Sequence, residues 1–307
     1  MTLEIIETYG DDVLAKVFVA QTRDGARIEF VESVQPPVPR EKKWVLIVST
    51  LKGCPVQCPI CDAGGNYHGK LSRDELLAQI DHLILRRFPD GIVPSTVTKI
   101  QFARMGDPAF NPAVIDALRA LPARYRMNLM PSISTVAPKN CGAFLESLAA
   151  VKNEFYRNGM FQMQFSVHTT DDAQRRVLVP AATLPLSDIS RRGERFFSAG
   201  DRKITLNFAA VQGYKVDARV VAAHFDPDKF IIKLTPVNPT FASRNAGLRG
   251  VITDDPKSGA ALCEAFRAAG FDVILSIGET RENQIGSNCG MFVAKTHLND
   301  RLNSKIA

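Results

Sequence analysis

A chain of 307 residues, 45% of them hydrophobic and 23% charged, can bury a large core as one barrel-sized domain or two smaller ones, and it holds no run of about 18 apolar residues to cross a membrane. Its formal net charge of +6 would suit a polyanionic partner, but the charge is spread along the chain and forms no block of five or more like residues. The opening MTLEIIETYGDD is acidic and lacks the apolar region of a signal peptide, and six cysteines without a secretory context imply a reducing, cytoplasmic location.

Residues 13–34 alternate as two strands, VLAKVFVAQ and ARIEFVESV, around a bend at Asp24 and Gly25, and the proline-rich QPPVPREKK follows as a spacer. Six short apolar runs come next: WVLIVST, TKIQFARM, NLMPSIST, FQMQFSVH, KITLNFAAV and KFIIKLTPV. They alternate with longer segments, several of helical period, among them SRDELLAQIDHLILRRF, NPAVIDALRALPARY, NCGAFLESLAAVKNEFY and SGAALCEAFRAAG. Repeated strand and helix units predict a parallel sheet covered by helices. The expected fold is α/β, a partial (β/α)6 TIM-like barrel with a small N-terminal β-hairpin. The matching division is 1–40 for hairpin and linker, 41–280 for the barrel, and 281–307 for a C-terminal segment carrying Cys289.

The most informative stretch is 52–65, KGCPVQCPICDAGG, which sets Cys54, Cys58 and Cys61 at C-x3-C-x2-C spacing directly after the first of those runs. Three thiolates on one short loop can hold three irons of a [4Fe-4S] cluster and leave the fourth open. A structural zinc site would need four ligands, usually as two C-x2-C pairs. Here Cys141, Cys263 and Cys289 are scattered singly, and His68 has no second histidine at finger spacing. Disulfides fit worse, because the loop holds an odd number of cysteines.

Active sites of parallel barrels gather at the carboxyl ends of their strands. Polar residues stand at such places: Met105, Gly106 and Asp107 after the second run, Ser134 and Thr135 after the third, Ser166 and His168 after the fourth, Asn238 after the sixth. Each alone has a plainer reading, as a turn and helix entry for Gly106-Asp107-Pro108, a cap for Ser134-Thr135, or a satisfied core histidine. Their recurrence beside a cysteine loop points to a ligand pocket. The pairs Arg86 and Arg87, Arg175 and Arg176, and Arg191 and Arg192 read equally as a nucleic-acid surface or as solvated helix faces.

This combination resembles the radical S-adenosylmethionine (SAM) superfamily, and within it the RNA adenine methyltransferases of the RlmN and Cfr type. The resemblance rests on the cysteine loop, MGDPAFN (105–111), SISTVAP (132–138), FSVHTTDDAQRRVLVP (165–180) and LTPVNP (234–239). ETRENQIGSNCG (279–290) resembles the segment that carries the family's methyl-bearing cysteine. The resemblance implies a SAM-cleaving methyltransferase with a [4Fe-4S] cluster on Cys54, Cys58 and Cys61, and with the SAM amino and carboxylate groups on the open iron. It implies SAM contacts from Met105, Gly106, Asp107, Ser134, Ser166, His168 and Asn238, Asp107 standing where the family has a glutamate. Cys289 would be the methyl carrier, and Glu29, in RIEF, matches a hairpin glutamate near the family's substrate site. A flavodoxin or ferredoxin would supply the electron.

Two departures bear on the reaction. The family's second catalytic cysteine, seven residues before the first cluster cysteine, is Ile47 here, and isoleucine can be neither that nucleophile nor a base. The family's amino-terminal helical domain, which grips RNA, has no counterpart ahead of the hairpin, so the expected substrate is either RNA or a small molecule. Three readings follow: methyl transfer, a non-methylating radical reaction such as rearrangement or bond formation, and a non-enzymatic iron-sulfur electron carrier or redox sensor.

Overall fold

Alternation of buried and half-exposed residues builds one mixed sheet, seen in a computed structural model that describes residues 3–34, 37–278, 285 and 290–295. Three antiparallel strands come first: β1 (Leu3–Gly10), β2 (Ala15–Thr22) and β3 (Arg27–Ser33), the last two joined through Asp24 and Gly25. β1 adds a strand to the expected pair. LEIIETYG mixes acidic and apolar residues without a buried face, and it is held at the sheet edge by its pairing with β2.

β3 pairs antiparallel with β4 (Lys43–Val48). A separate two-stranded sheet, β5 (Leu51–Cys54) and β6 (Gly65–Lys70), then carries the cysteine loop. The chain continues through α1 (Arg73–Leu85), β7 (Val97–Phe102), α2 (Ala113–Arg124), β8 (Leu129–Thr135), α3 (Gly142–Phe155), β9 (Gln162–Ser166), α4 (Asp172–Leu178) and α5 (Leu186–Phe196). It ends, among the named elements, with β10 (Ile204–Ala209), α6 (Ala218–Ala222), β11 (Phe230–Thr235), α7 (Phe241–Asn245), α8 (Ala260–Ala268) and β12 (Val273–Leu275). The large sheet has the order β1-β2-β3-β4-β7-β8-β9-β10-β11-β12, and every pairing from β4 onward is parallel.

The two faces of the parallel strands differ. Trp44, Leu46, Ile100, Phe102, Ile133, Phe165, Leu206, Phe208, Ile232 and Leu234 are buried in one core with Leu76, Leu83, Leu118, Leu148 and Ile189 of α1, α2, α3 and α5. The opposite face is polar, with rows in register such as Ser134, Gln164 and Thr205, and Ser166, Asn207 and Lys233. Lysines also gather on this polar face: burial, and then the charges of Lys233, Lys43 and Arg202, push Lys99 down to about 7, and burial followed by Lys43 lowers Lys233.

Local chemistry sets the helix ends. Ser72 and Glu75 form a capping box at the start of α1, where the Ser72 N–H donates to the Glu75 carboxylate at 2.7 Å and the Glu75 N–H to the Ser72 hydroxyl at 3.2 Å. Within α5, Gly193 lies against β11, where a Cβ would stand 2.6 Å from Phe230 Cζ. Gly→Ala inside a helix ordinarily stabilises by up to about 1 kcal/mol. Gly193→Ala is expected to destabilise instead, by about 1–3 kcal/mol, because the extra methyl overpacks the sheet. A raised urea midpoint would show that α5 does not press on β11 as described.

Candidate active site

The cysteine loop is stitched to the end of β7 by backbone hydrogen bonds. The N–H groups of Thr50 and Leu51 donate to the Met105 carbonyl at 2.8 and 3.1 Å, and the Arg104 N–H donates to the Val48 carbonyl at 3.0 Å. The buried Asn111 amide donates to the carbonyls of Thr50 at 2.8 Å and Leu71 at 2.7 Å, bracing both ends of the β5-β6 hairpin. Gly106 (φ +85) makes this packing possible, since a Cβ would stand 2.4 Å from Leu51 Cβ. Behind the third cysteine, the Asp62 carboxylate accepts the N–H groups of Phe241 at 3.0 Å and Ala242 at 2.8 Å. The loop is thus fixed from β7 on one side and from α7 on the other.

Cys54, Cys58 and Cys61 are each partly buried and none is in a disulfide. Val56, Val136, Leu178, Val179 and Val211 form an apolar cluster against which Cys54 and Cys58 pack. Burial, followed by the charges of Cys54 and Asp107, pushes the Cys58 thiol up to about 12. Burial also raises Cys54, although the N–H groups of Val56, Asp107 and Gln57 point at its sulfur and favour the thiolate. Such a site favours ionised sulfur only when a cation joins it. An iron cluster fits this donor set: sulfur ligands, an apolar shell and amides aimed at sulfur. Among the described residues, no three His, Cys, Asp or Glu side chains are grouped as around a single metal ion. A cubane differs in offering each thiolate its own iron.

The remaining sequence candidates are placed unequally. Asp107 is buried and acts electrostatically on both Cys54 and Cys58. Its carboxylate already accepts the Ala109 N–H at 2.9 Å, the Thr135 hydroxyl at 2.9 Å and the Val136 N–H at 2.7 Å. His168 is buried in a left-handed backbone conformation (φ +66), and its Nδ1 accepts the Ala209 N–H at 3.2 Å, which puts the proton on Nε2. Burial, and then Arg175, pushes His168 down to about 4, so it is neutral at pH 7. Ser134 and Ser166 are half-buried on the polar face, and Asn238 is exposed just beyond β11. Cys289 lies outside the described residues.

A cavity of about 610 Å³ opens between the β2-β3 turn and the cysteine loop, lined by Gln21, Arg27, Asp62, Asn66, His68 and Met105 among others. Lys52 holds its rim, pairing with Asp24 of that turn at 2.7 Å and with Glu75 of α1 at 3.2 Å. Of the residues the sequence proposes for SAM, Met105 alone lines this cavity. Ile47 is half-buried on β4, in register with Val31 and Gln101.

No family model matches the chain. Over 283 residues it is 26% identical to a probable dual-specificity RNA methyltransferase RlmN of Thermus thermophilus, spanning 89% of this chain and 72% of that protein. The protein of the same name from Gemmatimonas aurantiaca is 26% identical over 281 residues, 90% of this chain and 70% of its own length. The fold matches a radical SAM methyltransferase from Sphaerobacter thermophilus, with a TM-score of 0.74 over 95% of this chain and 81% of that one, at 22% identity. In sequence the chain is thus similar to proteins named as RlmN methyltransferases, and in fold to a radical SAM methyltransferase.

Several residues that shape the site carry little signal in the sequence. Arg104 and Asp62 are visible only as neighbours of the Met105 and Cys61 motifs, and Asn111 only as the last residue of MGDPAFN. The arginine pairs resolve in part. Arg86 and Arg87 are paired with Glu32, and Arg87 also with Asp12 at 2.6 Å. Arg175 is buried, donating to the carbonyls of Leu184 at 2.5 Å and Val136 at 2.9 Å, while Arg176 is exposed.

Burial pushes Asp107 up to about 6 from an ordinary 3.8, so between those values the folded protein keeps a proton that the unfolded chain has lost. By linkage, this group lowers stability as pH rises from about 4 to about 6. Denaturant titrations of the apoprotein should show the wild type losing on the order of 2–3 kcal/mol across that window relative to Asp107→Asn. Parallel pH profiles would mean that the Asp107 carboxyl titrates normally.

Proposed function

We propose that this chain is a radical SAM methyltransferase that binds a [4Fe-4S] cluster through Cys54, Cys58 and Cys61. In this reading Cys289 carries a methyl group to an acceptor in the cavity beneath the β2-β3 turn. The observation that carries it is the cysteine loop itself, stitched over the carboxyl end of β7 with backbone amides aimed at Cys54 and a cavity alongside. When bound, the cluster and SAM supply one-electron cleavage of a carbon-sulfur bond and the methyl group to be moved.

The chain's own part is to bind, orient and keep water out. SAM, a zwitterion with a ribose, needs a few fixed polar groups in an apolar pocket. Neutral His168, with its proton on Nε2, is a donor just past the end of β9, where Ser166 is the last residue, while Ser134 stands near the end of β8 and Asn238 just past β11. Met105, Gly106 and Asp107 bring the end of β7 against the cysteines. Val56, Val136 and Val211 shield the thiols from solvent. A flavodoxin- or ferredoxin-type protein is the proposed reductant.

The cavity's size suits one nucleotide unit or a small molecule. RNA is the first acceptor to try, since the relatives are named RNA methyltransferases. Ile47 favours a second reading, a non-methylating radical reaction, because it sets an apolar side chain where the family has its resolving cysteine.

Anaerobic incubation of the reconstituted protein with methyl-labelled SAM, followed by peptide mass spectrometry, decides between them. Label on Cys289 is expected. An unlabelled Cys289 in protein that still makes 5′-deoxyadenosine would move the assignment to the second reading. Cys61→Ala is expected to abolish the iron-sulfur absorbance, and its retention would defeat the cluster assignment.

A further inference from the structure

Glu29 is fully buried, 0% exposed, and does not line the cavity. Its Oε1 takes the Arg104 guanidinium at 2.8 Å and the Gly290 N–H, and its Oε2 takes the N–H groups of Phe292 at 3.1 Å and Val293 at 3.4 Å. Amides at the start of a helical turn have no intrahelical partner, and a carboxylate meets both their hydrogen bonds and their partial positive charge. The same turn is fixed on its other side, where Phe292 stacks on Tyr9 of β1 with ring centroids 3.9 Å apart.

Gly290 (φ +81) lies so close to the cysteine loop that a Cβ there would stand 2.3 Å from the Ala63 nitrogen and 2.5 Å from the Asp62 carbonyl carbon. Three and four residues on, Val293 and Ala294 line the cavity. The pair is tied to the loop from below as well. The Ser49 hydroxyl donates to the Glu29 carbonyl at 2.5 Å, and Arg104 directly precedes Met105.

We propose that Glu29 and Arg104 are a positioning pair: they seat residues 290–295 against the cysteine loop as one wall of the substrate cavity, and Glu29 acts through that wall rather than on the substrate. Both carboxylate oxygens are engaged, so neither is presented to a ligand in the cavity. The consequence for catalysis rests on the methyltransferase reading above, whereas the seating itself does not.

Hydrogen exchange with mass spectrometry on the full, cluster-loaded chain tests this with Glu29→Gln and, independently, with Gly290→Ala, which pushes the turn off the loop while leaving both buried charged side chains in place. In both variants the amides of 290–295 are expected to exchange about ten to a hundredfold faster, the effect of losing a charge-assisted acceptor or its seating, with the rest of the chain unchanged. Iron-sulfur absorbance and SAM-dependent 5′-deoxyadenosine formation are expected to persist while methyl transfer falls at least about tenfold, a split that general unfolding would not produce. Unchanged exchange at 290–295 would overturn the proposal, and if methylation were nevertheless lost in Glu29→Gln, Glu29 would be acting on the substrate directly. Faster exchange throughout the chain would also overturn it, reducing the pair to a general core contact. A wild type that transfers no methyl group would sink the methyltransferase reading and leave the exchange result standing.

Discussion

Everything at the candidate site depends on the seam between the cysteine loop and the end of β7. Two amide donors on the Met105 carbonyl and one buried asparagine side chain on two further carbonyls hold a loop that has little regular structure of its own. Buried backbone carbonyls must find donors, and Asn111 supplies them at both ends of the hairpin at once. Because the seam reaches Met105, Gly106 and Asp107, the same few bonds that place three thiols also place the residues proposed to meet SAM. The cavity then follows as the space left between this fixed loop and the β2-β3 turn, with the Lys52-Asp24 pair setting its rim.

Electrostatics at the site all run in one direction. Burial makes thiolate, carboxylate and imidazolium costly here, raising Cys54, Cys58 and Asp107 and lowering His168. An environment that disfavours isolated anions, while directing amides at one sulfur, suits a bound metal cluster, whose positive irons reverse the penalty. The polar face of the sheet behaves similarly, holding lysines against their own repulsion on strands whose other face is mostly apolar.

How far the sequence could be read depended on where each element gets its stability. The six parallel strands from β4 to β11 are legible because each carries a row of large apolar residues on its core face, and α1, α2, α3 and α8 because they carry an apolar stripe. β1, β5 and β6 are not, since LEIIETYG and GNYHGK have no buried face and are held by pairing and by distant braces. The short helices α4, α6 and α7 owe their starts to Asp171, Asp217 and Thr240 caps rather than to periodicity. At the site, local spacing exposed the cysteines and the strand-end polar residues. The engagement of Glu29 by amides more than 260 residues away, and of Asp107 by Thr135 and Val136, is tertiary and left no local mark.

The central claim is that three thiols on this loop hold a cluster with one iron left for SAM, and electron paramagnetic resonance of the reduced, anaerobically reconstituted protein tests it most directly. The account predicts a [4Fe-4S] signal that shifts when SAM is added and is missing from Cys54→Ala protein. A signal indifferent to SAM, or a protein that takes up zinc and no iron, would contradict it.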